Sequence, residues 1–192
     1  MSMKKLQASK RAASVMASPI RKFLPYVYEV EAKGIHVYKL NVGDPDLPVP
    51  PAFFRAVKNY PDKNLHYAPS PGIPEHVDAW IKYYSRFGLK LKREHIIPTV
   101  GGAEAILLAL NALADTGDEI IMFEPLYASY KGLGAMAGVK FVPVLLDLKN
   151  NFAVPSASVI EKKITKKTKA IVAINPDNPT GKVWTDAELK RV

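Results

Sequence analysis

The chain has 192 residues, 48% hydrophobic and 23% charged, with no cysteine and a formal net charge of +9. Those proportions are those of a soluble globular protein. They exclude disulfides and thiolate metal sites, and no apolar run nears the roughly 20 residues that a membrane span needs. The positive excess lies in two segments. Residues 1–40 hold eight Lys or Arg against two Glu, and residues 161–169 hold five Lys against one Glu. Neither interleaves aromatic rings with its basic residues as a single-strand stacking groove does, so no nucleic-acid partner is expected. The N-terminus lacks the continuous apolar stretch of a secretory signal, and the expected location is cytoplasmic.

Ser18 followed by Pro19 makes a helix start, and the helix should run to about Lys33, closed by Gly34. Ile35 to Leu40 alternates like a short strand. Residues 41–51 are too rich in proline for a helix or a central strand. Pro51 to Tyr60 patterns as a short amphipathic helix, residues 65–75 as a turn, and residues 77–91 as a second helix. His95 to Val100 reads as a strand running directly into Gly101-Gly102-Ala103-Glu104-Ala105 and a helix-forming sequence. A helix N-terminus there offers unpaired N–H groups and a positive dipole end, both suited to a phosphate. The pattern is not G-x-G-x-x-G and no Walker lysine follows, so nucleotide folds fit less well.

Glu119 to Phe123 reads as a buried strand. It ends at Glu124-Pro125-Leu126-Tyr127, and the helix after it closes near Gly138. A further strand covers Lys140 to Leu146, a short helix Val159 to Ile164, and a last strand Ala170 to Ile174. That strand stops at Asn175-Pro176-Asp177-Asn178-Pro179-Thr180-Gly181, where two prolines cannot donate to a ladder. Thr185 with Glu188 three residues on is a capping box. Strands alternating with helices imply a parallel α/β sheet, whose ligands lie at the carboxyl ends of the strands. Asn178 is therefore an amide presented where such a sheet keeps its ligands. The four histidines have no metal-ligand spacing, and no metal is expected.

The string N-P-x-N-P-T-G after a buried strand resembles the signature of class I/II aminotransferases, pyridoxal-phosphate (PLP) enzymes of fold type I. Four more segments fall in that family's order. They are LNVGDPD at 40–46, Tyr67 to Glu75, GGAEA at 101–105, and Pro125 to Tyr130. The family usually carries Leu-Arg after the position of Glu75, where this chain has His76-Val77, outside the chemistry. The resemblance implies roles by position. Gly102 and Ala103 would hold the cofactor phosphate through backbone N–H groups, and Tyr127 would stack on the pyridine ring. Asn178 would hydrogen-bond the phenolic oxygen of PLP, and Tyr67 would reach the cofactor phosphate of the partner subunit. Gly43 would let backbone approach the substrate carboxylate.

The implied fold is a mostly parallel three-layer α/β/α sheet, the fold type I large domain in truncated form. Residues 1–46 would be an N-terminal arm with a small-domain contribution, and 47–192 the first half of the large domain. The strands at 119–123, 140–146 and 170–174 would be adjacent, while the strand at 95–100 would take its neighbours from the family's second half and so pair with no strand here on either side. No catalytic residue is assigned, because the family's Schiff-base Lys, its pyridine-nitrogen Asp and its carboxylate Arg would lie beyond residue 192. Ser129 to Gly138 superficially resembles the lysine segment, but it precedes the Asn178 motif, and Lys131 reads as an ordinary helix residue. The implied activity moves an amino group between an amino acid and a 2-oxo acid, in a homodimer when complete. A PLP-dependent lyase on the same scaffold and a non-catalytic split or truncated piece are the alternatives.

Overall fold

A computed structural model describes residues 7–16, 19–43 and 45–192. The helix start expected at Ser18 lies outside these residues. Helix α1 spans Lys10–Ser14, and α2 spans Leu24–Glu31 after a single 3-10 turn at Arg21–Phe23. Helices α3 and α4 cover Pro51–Lys58 and Pro74–Ser85, α5 covers Gly102–Leu113, and α6 covers Ser129–Ala137. Helices α7, Ala157–Glu161, and α8, Asp186–Leu189, are short. The strands are β1 Glu119–Glu124, β2 Lys140–Leu145 and β3 Thr168–Val172.

The chain divides into two compact units, residues 1–37 with 101–192, and residues 38–100. The first contains the sheet. Its order is β2-β1-β3, with both pairings parallel. The adjacency of these three strands is as the sequence implied, with the last strand placed two residues earlier.

Strand β1 is central, and its first five residues are all buried. Successive side chains of a strand face opposite ways. Ile121 and Phe123 accordingly join Val144, Leu146, Val154, Ile160 of α7 and Trp184 in one core cluster. Ile120 and Met122 join Leu110 of α5, Ala137 of α6 and Val139 in another. Helices α5 and α6 thus cover one face, and α7 with Trp184 covers the other. This is the three-layer α/β/α arrangement.

Helix α6 lies close against β2. Gly134 is buried, and a Cβ placed there would sit 2.2 Å from the Phe141 ring. A Gly134→Ala variant should lose about 1–3 kcal/mol through overpacking, read as a lower midpoint of urea unfolding. The helix ends at Gly138, whose φ of 77° is left-handed and favours glycine.

Two expected strands are corrected. Residues 35–40 form no strand, and Ile35, Tyr38 and Leu40 are exposed. At 95–100 a 3-10 turn, Arg93–His95, leads into Ile96 with extended angles of −130° and 124°, but the segment joins no sheet. Alternation records a preference for extended backbone, whereas a strand also needs a neighbouring ladder. In the second unit, the Arg93 Nε donates to Asp78 Oδ1 at 2.8 Å, and this guanidinium holds the Asp78 carboxyl below the usual range.

Candidate active site

Helix α5 is joined to β1 by residues 114–118, and its Leu110 shares one core cluster with Ile120 and Met122 of β1, against which Ile106 and Leu107 also pack. Twelve helical residues rise about 18 Å, and a six-residue strand spans about 20 Å. So short a connection makes helix and strand antiparallel, and the N-terminus of α5 lies level with the carboxyl end of β1. Because β3 is parallel to β1, its carboxyl end is there too. The topology therefore brings four of the sequence-predicted residues to one end of the sheet. Gly102 and Ala103 open α5, Tyr127 follows β1, and Asn178 follows β3.

Gly102 and Ala103 are the first two residues of α5, where backbone N–H groups have no acceptor within a helix. Gly102 and Ala103 are exposed, and a Cβ placed at Gly102 would meet no atom within 4 Å. Backbone donors and the positive dipole end suit an anionic group in chemical terms.

Tyr127 sits in the loop between β1 and α6 and is 41% exposed. Its carbonyl accepts the Tyr130 N–H at 3.0 Å, and the two rings meet edge-on, 6.4 Å apart at 87°. Burial raises the Tyr130 phenol. An ion pair spans the same loop, with Lys131 Nζ 2.9 Å from Glu124 Oε1. Lys131 is therefore tied to the last residue of β1.

Asn178 is exposed, in a turn closed around its neighbours. The Asp177 N–H donates to Lys182 O at 2.9 Å, and Gly181 N–H donates to Asp177 O at 2.9 Å. The Asn175 Oδ1 accepts the Trp184 N–H at 2.9 Å. Gly181 has φ of 70°, a left-handed conformation that glycine adopts without side-chain strain. The peptide bonds before Pro125, Pro176 and Pro179 are cis.

Gly43 and Tyr67 belong to the second unit. Gly43 has open space at its Cβ position, and Tyr67 is fully exposed. Sequence reasoning passed over Asp177, which is buried at 6% exposure inside the turn, and over the Glu124–Lys131 pair. A carboxylate within a run of turn residues was the available signal for the first. The second joins residues seven apart, across a loop.

An exposed helix start, an aromatic face and an amide at one sheet end suit a flat phosphorylated cofactor by donor chemistry. Residues 35–192 match the family Aminotransferase class I and II. The aspartate aminotransferase of Pyrococcus horikoshii is 35% identical over 185 residues, which are 95% of this chain and 46% of that protein. Among solved structures, an alanine aminotransferase from Pyrococcus furiosus is 36% identical with a TM-score of 0.86, over 96% of this chain and 48% of that one. A single mutant of the Thermus thermophilus aspartate aminotransferase is 31% identical with a TM-score of 0.87, over 97% of this chain and 49% of that one. The chain spans about half the length of the relatives it matches. It belongs to the class I and II aminotransferase family, with the fold type I architecture.

Proposed function

We propose that these residues are the amino-terminal half of a PLP-dependent aminotransferase that moves an amino group between an amino acid and a 2-oxo acid. The observation that carries this reading is the convergence of Gly102, Tyr127 and Asn178 at the carboxyl end of one parallel sheet, in a member of this family. When bound, PLP supplies an electron sink for the carbon that loses its proton. The chain's own part is binding and orientation. The Gly102 and Ala103 N–H groups hold the phosphate. The Tyr127 ring covers one face of the pyridine and keeps water from it. The Asn178 amide donates to the phenolic oxygen and favours its ionised form.

The remaining roles follow the same reading. Gly43 takes the substrate carboxylate, and Tyr67 serves the phosphate site of a partner subunit in a cytoplasmic homodimer. Residues 1–46 make up the arm and a small-domain contribution, and 47–192 the first half of the large domain. The relatives include enzymes named for aspartate, prephenate, alanine and N-acetyl-LL-diaminopimelate, all as aminotransferases, which favours transamination over a lyase reaction and leaves the amino acid open.

The test is PLP titration of the reconstituted enzyme, this chain co-produced with the matching carboxyl-terminal half. An Asn178→Ala variant should bind PLP roughly 10–150-fold more weakly, the equivalent of about 1.5–3 kcal/mol for one hydrogen bond to a charged group. Equal affinities would remove Asn178 from the site. A reconstituted protein without PLP binding would overturn the reading.

A further inference from the structure

We propose that the Asp177 carboxylate and the Thr180 hydroxyl act as a positioning pair that fixes the Asn178 amide for its hydrogen bond to the cofactor, an inference that rests on the aminotransferase reading above. The starting point is a buried carboxylate in an exposed turn. Asn175, Pro176, Asn178 and Pro179 are all exposed, yet Asp177 is 6% exposed. Burying a carboxylate is costly unless donors meet it. Thr180 supplies two, its hydroxyl and its N–H, both to Oδ2, the second at 3.3 Å.

The hydroxyl also accepts the Lys182 N–H at 3.2 Å. It therefore links the carboxylate to the backbone at Lys182. Together with the two backbone bonds of Asp177, these contacts close residues 177–182 into a small ring. Asn178 and Pro179 form the outer span of that ring. The Asn175 side chain anchors the approach to it through Trp184. Asp177 and Thr180 are placed to set where the Asn178 backbone sits, and so where its amide can reach. Neither is assigned a contact with cofactor or substrate.

A purely structural role would lower stability and leave the cofactor's ionisation alone. A positioning role moves it. An amide N–H given to the phenolic oxygen stabilises the ionised form and lowers the pH midpoint of the bound cofactor's absorption. The measurement is that midpoint in the reconstituted holoenzyme, with circular dichroism and melting temperature recorded for each variant. Asn178→Ala should raise the midpoint by about 1–2 units, since one charge-assisted hydrogen bond is lost. Asp177→Ala and Thr180→Val should each raise it by about 1 unit in the same direction. Thr180→Ser keeps the hydroxyl and should restore the parent value. The double variant Asp177→Ala with Asn178→Ala should shift no further than Asn178→Ala alone, because both act through one hydrogen bond.

Should Asp177→Ala fail to fold, the Thr180→Val and Thr180→Ser pair decides. Folded variants with the parent midpoint, beside an Asn178→Ala variant that shifts, would overturn the positioning role alone. Additive shifts in the double variant would also overturn it. An enzyme that binds PLP but whose midpoint ignores Asn178→Ala would remove the amide's role, and the pair's with it. An enzyme with no cofactor absorption at all would sink the aminotransferase reading itself.

Discussion

Replacing Trp184 by alanine is expected to destabilise the sheet unit by about 3–5 kcal/mol, the usual range for truncating a large buried aromatic residue. Trp184 is 3% exposed and lies in the cluster that covers one face of the sheet. Its ring meets Phe123 edge-on, with centroids 4.8 Å apart at 81°. That contact reaches the central strand directly, so a cavity there opens beneath β1. The indole Nε1–H is buried without a hydrogen-bond partner among the described residues. Its loss therefore costs no hydrogen bond, and the penalty is one of packing. A Trp184→Phe variant should recover more than half of the stability, since it refills most of the volume. Urea unfolding followed by circular dichroism measures both. A loss below about 1 kcal/mol for the alanine variant would mean that the face is not sealed by Trp184.

The position of Trp184 also bears on the site. Its backbone N–H donates to Asn175 Oδ1, in the same loop that carries Asn178. A loosened Trp184 should therefore reach the amide through the backbone, which links the core on this face to the carboxyl end of the sheet.

Local chemistry in the sequence was enough for much of this. The run Glu119 to Phe123 is apolar after its first residue, and it became the buried central strand. The glycine pair before a helix-forming sequence became the start of α5, and Gly138 closed α6 in the left-handed conformation expected of a helix-ending glycine. The capping box at Thr185 and Glu188 formed in both directions. The failures were non-local. Residues 35–40 have extended patterning, but a ladder requires a neighbour that patterning cannot name, and at 95–100 the family order had already implied that no neighbouring strand is here. The level of Asn178 with Gly102 came from the topology, through the short link before β1. The proposed roles rest on the family order, since no spacing distinguishes a phosphate-binding glycine from one that merely permits a turn. Asp177 was hidden because a turn residue is ordinarily solvated. Glu188 was recognised as a cap, while its other partner, Val154, is 34 residues away.

That second partner makes Glu188 the other substitution of large effect. Its Oε2 accepts the Thr185 N–H at 2.9 Å and the Thr185 hydroxyl at 2.9 Å, with Lys182 Nζ 3.3 Å away. Its Oε1 accepts the Val154 N–H at 3.0 Å. Only 5% of the residue is exposed. The Thr185 backbone bond is the main cause that holds the carboxyl down to about 2 from an ordinary 4.5. Burial opposes this, and Val154, the Thr185 hydroxyl and Lys182 add to it. Glu188→Ala leaves these donors without their acceptor and Lys182, 15% exposed, without its counter-charge. The expected loss at pH 7 is about 3 kcal/mol, at the low end for a broken buried pair because Lys182 keeps some access to water. The sign with pH follows from linkage. The folded pKa is depressed, so between the two values the unfolded chain binds more protons, and stability rises with pH. The contribution is fully present above about 4.5 and drains away as pH falls toward about 2. Glu188→Gln keeps the shape and removes the charge, so its gap from the parent should be widest near pH 7 and close on acidification below pH 4.5. Urea midpoints of the two proteins across that range measure it, and a gap that stays constant with pH would show that the ionised carboxylate contributes nothing to holding α8 against Val154.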